Sequence, residues 1–407
     1  MSQFRIYIKP FNTIGEYVAN WTDVTSYVNE SSISALNQTL DNDDFNVGLF
    51  NYNDFSLKFD NESGLFSDVD VVHSMFRYKR SNSLVKITWS IQAYPTQCGT
   101  AECGYEFINP EVEIFTGLIN DESSGSDISD QKINFSVLGR ESIFSKAIVP
   151  FTTISAGDYI SAIIYKILNQ AEITSILTIS AGNINPGIDF QIDSITDLQN
   201  KTVKETLDNL LLTSSSVLYV KDGIVYVTNR DETLNVMHTF YGQASNEGIE
   251  DIESISNIRS GINRVFNFWT WRDTTLYAEE LTSTDKYGYR KKEIDYDSIT
   301  NGTKRQNILN SLRSEFGSPK QELELTTLVN YDTLQLFLFD KVNVDYPTVL
   351  YAADENIIPI WGAVKWGAFK WPFGEWGLTL NTSQHFKIMG KKIDMKKHLI
   401  TFKLRAI

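Results

Sequence analysis

The stretch KTVKETLDNLLLTSSSVLYVKDGIVYVTNR, residues 201–230, carries the strongest local structural signals in the chain. Thr202 and Glu205 have the spacing of a capping box, in which each side chain accepts a hydrogen bond from a backbone N–H at a helix N-terminus. Apolar residues then recur at helical spacing, namely Val203, Leu207, Leu210 and Leu211. Two alternating runs follow, joined by Asp222-Gly223, a turn typical of a β-hairpin. The stretch therefore predicts a capped helix followed by a hairpin.

The stretch SAGDYISAIIYKILNQA, residues 155–171, shows a second helical period. Its apolar residues recur at spacings of three and four, which places them on one helix face. They are Tyr159, Ile160, Ile163, Ile164, Ile167 and Leu168. We therefore assign residues 151–235 to a small α/β module of two helices and a hairpin.

Residues 1–150 contain short runs in which apolar and polar residues alternate, the pattern of half-buried strands. The runs are FRIYIK (4–9), FSLKFD (55–60), LVKITWSI (84–91), VEIFTGLI (112–119) and KINFSVLG (132–139). Turn-rich stretches such as DNES (60–63) and NDESSGSD (120–127) separate them. Regular short strands with polar tips are typical of barrels and sandwiches, so we predict an N-terminal β-barrel domain.

Residues 236–407 return to strands and predict a second β-barrel domain with a tryptophan-rich insertion at residues 360–377. The clearest strand runs are INRVFNFWTWRD (262–273), DKVNVDYP (340–347) and HFKIMGKKIDMKKHLITFKLRAI (385–407). One helix is predicted at residues 301–316, ending at Gly317 and Pro319, because Ile308, Leu309, Leu312 and Phe316 share a face. The predicted fold class is mainly β (α+β), with two β-barrel domains and an intervening small α/β module.

The charge balance disfavours one class of function. The chain has 36 Lys and Arg against 51 Asp and Glu, a formal net charge of -15. Sequence-independent nucleic-acid binding requires basic surface, so we do not expect this chain to bind DNA in that way. The N-terminus lacks a basic-then-apolar signal pattern, and no apolar run approaches the ~20 residues of a membrane span. We expect neither a signal peptide nor membrane insertion.

The sequence contains none of the common catalytic motifs. A phosphate-binding glycine loop, a serine elbow, a His-Glu-x-x-His helix and an EF-hand loop are all missing. Acidic pairs do occur, at Glu322 and Glu324 and at Asp340 and Asp345. Solvated strand faces explain these pairs better than a glycosidase dyad does. We therefore predict a protein that is not an enzyme and nominate no catalytic, cofactor-binding or metal-binding residue.

The two cysteines lie close together, at Cys98 and Cys103, between turn residues. Free thiols and a disulfide closing this short loop are both compatible with the spacing. A metal site would need about two more ligands, and the histidines His73, His238, His385 and His398 do not have ligand spacing. We expect free thiols or a loop disulfide rather than a metal site.

Half of the eight tryptophans occur in IWGAVKWGAFKWPFGEWGLTL, residues 360–380, at a spacing of five. A spacing of five keeps the side chains on one face neither of a strand nor of a helix. The four residues are Trp361, Trp366, Trp371 and Trp376. If all four were exposed together, they would form an apolar patch of about 600 to 1,000 Å². A patch of this size is expected to be covered by other protein surface or by a ligand. The sequence allows three interpretations: a core cluster of the second β domain, a sugar- or membrane-contacting tip, or a subunit or tail-partner interface. We assign all four tryptophans to the interface.

Taken in chain order, several segments resemble the baseplate or tail-hub proteins of tailed bacteriophages and related contractile injection systems. VEIFTGLINDESSGSDISDQKINFSVLGRESIFSK, residues 112–146, resembles the end of the first barrel of that family. In it, the strand through Phe115, Thr116 and Gly117 runs into a turn and a returning strand. The capped helix and hairpin of residues 201–230 resemble the element that follows. The resemblance covers most of the chain in order.

The second barrel of the family opens with a strand that resembles Asn263-Arg264-Val265. A later Gly-Asp-x-Val strand start is represented here by Phe339-Asp340-Lys341-Val342, with phenylalanine in place of the glycine that makes a tight turn.

The resemblance implies a structural role in the virion, at the tail tip or baseplate, after assembly in the cytoplasm of the bacterial host. It implies a homotrimer in which two similar barrels per chain form a ring of pseudo-sixfold symmetry. The implied partners are tail-tube or distal tail protein rings, the tape-measure protein and a tip or fibre protein. Genomic DNA would pass through during ejection without specific binding. A receptor- or carbohydrate-binding tail-tip protein is the alternative, and a tail-associated cell-wall hydrolase is a weaker one.

Overall fold

The computed structural model describes residues 4–13, 16–28, 33, 35–39, 54–67, 73–76, 78, 80–90, 111–127, 131–150, 154–230, 235–242, 251–259, 261–345 and 384–407. The strands in these ranges are β1 (Phe4–Lys9), β2 (Phe11–Thr13), β3 (Glu16–Tyr17), β4 (Thr22–Asp23), β5 (Leu36–Thr39), β6 (Asp54–Asp60), β7 (Leu84–Ser90), β8 (Glu111–Asp127), β9 (Lys132–Gly139), β10 (Ser216–Lys221), β11 (Ile224–Asn229), β12 (Val236–Tyr241), β13 (Ile252–Arg259), β14 (Phe268–Trp271), β15 (Tyr277–Glu279), β16 (Lys291–Ile294), β17 (Glu322–Leu328), β18 (Lys341–Asp345), β19 (Gln384–Asp394) and β20 (Leu399–Ala406). The helices are α1 (Ile143–Lys146), α2 (Ile160–Leu168), α3 (Ala171–Thr174), α4 (Val203–Thr213), α5 (Leu281–Tyr287), α6 (Gly302–Phe316) and α7 (Tyr331–Gln335).

The first large sheet has six strands in the order β4-β1-β7-β8-β9-β6. Every second side chain of β1 and β9 is buried, as their sequences predict. In β7 and β8, by contrast, consecutive side chains are buried. A cluster of phenylalanine rings fills the concave side, with Phe59 lying 4.6 Å from Phe66 and 5.3 Å from Phe135 between ring centroids. Burial of these aromatic rings holds the sheet in its curled form.

One predicted turn in this sheet is wrong. Residues 120–127 belong to β8, which continues to Asp127 and pairs with β9 on both sides of an irregularity between Asn120 and Gly125. The polar composition of this stretch indicates a turn locally, but the backbone pairing with β9 overrides that preference.

The predicted helix and hairpin of residues 201–230 are confirmed. Thr202 caps α4, accepting from the N–H of Glu205, while the Glu205 carboxylate accepts from the N–H of Thr202. Asp222 and Gly223 join β10 to β11 with φ angles of 53° and 76°, the backbone that a two-residue hairpin turn requires. The helix predicted within residues 155–171 is confirmed as α2, and five of its six predicted face residues, from Ile160 to Leu168, are buried. The sixth, Tyr159, precedes the helix as its N-cap residue and is half exposed.

The second large sheet has seven strands, in the order β12-β18-β19-β20-β17-β13 with β5 pairing β19 as well. The strands predicted at 340–347 and 385–407 are confirmed as β18 and the β19-β20 pair. Both large sheets are curled half-barrels, and the prediction of a mainly β protein with two barrel-like domains is confirmed. The division into residues 1–150, 151–235 and 236–407 stays a proposal, and β5 is a strand from the first part that joins the second sheet.

A third sheet, of three strands in the order β15-β14-β16, packs on α6. The helix predicted at residues 301–316 is confirmed as α6, which Asn301 caps by accepting from the N–H groups of Thr303 and Lys304. On the inner side of the sheet the Trp269 ring lies 5.9 Å from the Phe316 ring of α6. The sheet and the helix therefore bury one another's apolar faces.

The strand predicted over residues 262–273 is confirmed only at Phe268–Trp271, which form β14. Ile262–Arg264 forms a 3-10 turn, so Asn263-Arg264-Val265 is not a strand, and the chain enters β14 only at Phe268. Gly261 has a φ of 68°, and a Cβ there would collide with the carbonyl of Lys320. This close backbone approach bends the chain away from an extended path.

The tight turn before β18 is present although Phe339 replaces glycine. Phe339 has a φ of 76°, in the left-handed region that favours glycine. Its N–H donates to the carbonyl of Ile388 at 2.8 Å, and the N–H of Ile388 donates to the carbonyl of Asp340 at 3.1 Å. Its ring is buried, with the Lys387 ammonium 4.7 Å from the ring centroid. Packing and hydrogen bonding therefore hold a backbone conformation that phenylalanine disfavours.

A single cluster of buried apolar side chains runs through both large sheets and the α/β module. The buried Trp89 of β7 meets His398, in the turn between β19 and β20, edge to face at 5.4 Å between ring centroids. The two curled sheets are thus packed together directly.

Candidate functional site

A cleft of about 720 Å³ opens where the first sheet, the hairpin and the second sheet meet. Its walls are β8, the Asp222-Gly223 tip of the β10-β11 hairpin, the edge strand β12 and the segment from α7 to Phe337. All three parts predicted from the sequence therefore contribute to one cleft.

Arg140 projects into this cleft from the end of β9. Its guanidinium lies directly against Gly223, so a side chain at the hairpin tip would collide with it. Burial lowers the pKa of Arg140, and the neighbouring carboxylates Glu113, Glu141 and Asp222 oppose that effect. An arginine stays charged under these conditions, so its attraction to Asp222 holds the hairpin tip against the first sheet, on whose side Glu113 and Glu141 also lie.

Lys391 of β19 lies at the base of the cleft and is 5% exposed. Its ammonium donates to the carbonyls of Leu334 at 2.6 Å and Leu336 at 2.8 Å, at the C-terminal end of α7. Burial lowers the pKa of Lys391 to about 7, and the charge of Asp340 opposes that effect. A cation at the end of a helix satisfies carbonyls that lack partners within the helix. These two hydrogen bonds from Lys391 therefore hold the C-terminal end of α7 against the second sheet.

Asp340 lies beside this lysine, in the turn that contains Phe339. Burial raises the pKa of Asp340, although its carboxylate accepts from the N–H of Phe337 at 2.7 Å. Asp340, Glu322 and Glu324 are all half-buried. Glu322 forms an ion pair with Arg264 at 3.1 Å. The interpretation of these acidic pairs as strand faces rather than a glycosidase dyad stays a prediction.

The edge strand β12 contributes a further titratable group to the cleft, His238. Its Nε2 lies 3.0 Å from Oδ2 of Asp251, and the other oxygen of Asp251 accepts from the N–H of Tyr241 at 2.7 Å. Asp251 therefore bonds both to the His238 side chain and to the backbone of β12, and this holds the edge strand in place. Within the ranges that the structure describes, no group of three or more His, Cys, Asp or Glu side chains could hold a metal ion. Nor does any described helix have the length and apolar character that crossing a membrane demands.

The site residues predicted from the sequence lie outside the described residues. This applies to the proposed interface tryptophans Trp361, Trp366, Trp371 and Trp376, and to Cys98 and Cys103. Both assignments stay predictions. Arg140 and Lys391 are not predicted from the sequence, because each is one of 36 basic residues and neither has a local pattern that indicates burial.

Sequence comparison finds no matching family model and no matching curated protein. Comparison with solved structures gives matches along nearly the whole chain. A tail protein from Neisseria meningitidis MC58 superposes with a TM-score of 0.54 at 12% identity, over 99% of this chain and 95% of that one. The 43 kDa tail protein of prophage MuSo2 from Shewanella oneidensis gives 0.51 at 12% identity, over 98% and 97%.

Prophage tail protein gp18 from Listeria monocytogenes EGD-e gives a TM-score of 0.52 at 10% identity, over 98% of this chain and 94% of that one. These proteins share the fold of this chain, and the predicted resemblance to phage tail proteins is confirmed at the level of the fold.

Proposed function

We propose that this chain is a structural hub protein of a bacteriophage tail tip or baseplate. The observation that carries the proposal is the pair of curled half-barrel sheets within one chain, in a fold shared with phage tail proteins over nearly its full length. A hub protein has to keep its shape under mechanical force, and it has no substrate to convert. The continuous core and the buried hydrogen bonds of Lys391 in the cleft suit that role.

The proposed assembly is a homotrimer in which three chains supply six half-barrels. Such a trimer forms a ring of pseudo-sixfold symmetry that matches a hexameric tail-tube ring on one side and a threefold tip on the other. The partners proposed are tail-tube or distal tail protein rings, the tape-measure protein and a tip or fibre protein. The location proposed is the virion, after assembly in the host cytoplasm. No residue is assigned a catalytic role.

The proposed ring surrounds the path by which DNA leaves the virion. A lumen that bound phosphates would hold the genome back, and the net charge of -15 favours an acidic or neutral lumen. DNA then passes through without specific binding. A lumen lined mainly by Lys and Arg would contradict this part of the proposal.

The oligomeric state tests the proposal directly. Native mass spectrometry and sedimentation of the purified chain, alone and with a tail-tube protein, should show three copies per particle. Electron micrographs of that particle should show a ring with six similar lobes. A chain that stays monomeric in both conditions, or a ring of another copy number, would contradict it.

A further inference from the structure

The outer face of the β15-β14-β16 sheet carries an exposed aromatic cluster. We call it the aromatic face and define it by Phe268, Tyr277 and Tyr289. Tyr289 is 71% exposed and Tyr277 56%. Large apolar side chains as exposed as these are unusual when they stand together, and such clusters mark interaction sites.

The strand register explains how the cluster forms. In β14, Trp269 and Trp271 point inward, so Phe268 and Thr270 point outward. Across the strand pair, Tyr277 is opposite Thr270. The Phe268 ring lies 5.6 Å from that of Tyr277 with an interplanar angle of 18°, and 5.5 Å from that of Tyr289 at 78°. The rings support one another and are held on a rigid sheet.

Polar side chains surround these rings on the same face. Glu279 and Lys291 are the cross-strand neighbours of Phe268, and Glu293 is the cross-strand neighbour of Thr270. Lys291 and Glu293 form an ion pair of 3.3 Å in which both side chains are about half exposed. The negative charge of Glu279 and a hydrogen bond to it raise the pKa of Tyr289. Ring faces, hydrogen-bond acceptors and a donor therefore lie within one small area.

The size of the face limits its partner. Two largely exposed tyrosines present roughly 200 to 300 Å² of aromatic surface. A stable protein interface buries about 800 Å² on each side, so the face alone is too small for one. A few sugar rings match it in area. A pyranose has an apolar C–H face that packs on an aromatic ring and a rim of hydroxyl groups that bond to carboxylates and ammonium groups.

We propose that the aromatic face binds a pyranose-containing glycan. Sugar rings pack on Tyr277 and Tyr289, and their hydroxyl groups bond to Lys291 and Glu293, whose side chains are about half exposed. The inference goes beyond the proposed hub function and does not rest on it, because the face is formed within one chain.

Binding of defined oligosaccharides to the full chain tests the inference. The probes are chitotetraose and maltotetraose, one with β and one with α linkages, followed by saturation-transfer NMR and calorimetric titration. We expect saturable binding of at least one probe. Tyr277→Ala and Tyr289→Ala should each weaken it about tenfold or more, the equivalent of 1.4 kcal/mol. Tyr159→Ala, at a tyrosine 50% exposed elsewhere, is the matched control and should leave binding unchanged.

Thermal unfolding of each variant shows whether folding is intact, which we expect because the substituted side chains are exposed. The inference is overturned if neither probe binds, or if binding survives in the Tyr277→Ala/Tyr289→Ala double variant. It is also overturned if that variant loses oligomers instead, because the face would then be a protein interface. A monomeric chain that binds sugar through these tyrosines would contradict the hub proposal and leave this inference standing.

Discussion

Phe339 shows how a single residue can occupy a backbone position that its type disfavours. The chain needs a left-handed residue at the entrance to β18, and phenylalanine adopts φ = 76° there with its ring buried. The left-handed backbone costs about 1 to 2 kcal/mol for a residue with a Cβ. Burial of the ring contributes more, since truncation of a buried phenylalanine typically costs about 3 to 5 kcal/mol.

Two substitutions at this position separate the two effects. Phe339→Ala and Phe339→Gly should both destabilise the protein through the lost ring. The glycine variant should be the more stable of the two by about 1 kcal/mol, because glycine tolerates positive φ. Chemical denaturation with a common slope measures the difference.

Phe402 of β20 is the matched control, because it is also buried but lies in extended backbone. There the order should reverse, with alanine more stable than glycine by roughly 0.5 to 1 kcal/mol. If the alanine variant is also more stable than the glycine variant at position 339, the backbone there is not strained.

At the scale of elements, the α/β module and the third sheet meet at the N-terminus of α6. The carboxylate of Asp193 accepts from the N–H groups of Thr300 at 2.8 Å and Asn301 at 2.9 Å, and from the Lys304 ammonium at 2.7 Å. Burial by itself raises the pKa of Asp193, but these hydrogen bonds outweigh it and lower the pKa to about 2. One carboxylate therefore joins the module to the helix.

Asp193→Asn should lower the free energy of unfolding at pH 7 by about 1 to 2 kcal/mol, less than the full shift because the side chain is partly exposed. A carboxyl whose pKa is lowered by folding stabilises above its unfolded pKa, near 4, and loses that contribution as the pH falls towards 2. The stability difference between the native chain and the variant should therefore shrink from pH 5 to pH 3. Denaturant titrations at both values measure it.

Lys304→Met provides the comparison, since it removes the ammonium and keeps both backbone donors. The free energy of unfolding of Lys304→Met should still change between pH 5 and pH 3, although less than that of the native chain. Asp193→Asn removes this pH dependence. A stability difference between the native chain and Asp193→Asn that does not change with pH would show that Asp193 makes no charged contact.

At the scale of the whole molecule, the proposed hub needs surfaces that bind neighbouring subunits and tail proteins. The tryptophan repeat stays our predicted interface. Trp366→Ser with Trp371→Ser should therefore reduce assembly, measured by native mass, while the thermal midpoint of the monomer changes little. Tryptophan is among the residues that contribute most to interfaces, which is why loss of assembly is expected.

Trp269→Ser is the control for a core tryptophan, because Trp269 is fully buried between its sheet and α6. This variant should lose soluble, folded monomer. If the repeat variant behaves in the same way, the four tryptophans are core residues and the interface assignment is wrong.

The sequence by itself determined the elements whose signals are local. The capping box at Thr202 and Glu205, the Asp222-Gly223 turn and the apolar face of α6 all rest on contacts between residues a few positions apart. The alternating runs that became β1, β9 and β20 depend only on which side chains face the core. Period and spacing are sufficient for such elements, because the interactions that form them close within one turn or one strand.

Tertiary structure alone decided how distant segments meet. It placed β5 beside β19, extended β8 through a stretch whose composition favours a turn, and replaced a predicted strand at residues 262–264 by a 3-10 turn. It also buried Lys391 against α7 and brought Trp89 to His398. These outcomes depend on backbone approach and burial between residues far apart in the chain. No spacing along the sequence encodes them, and for that reason the central cleft and the aromatic face became visible only in the folded molecule.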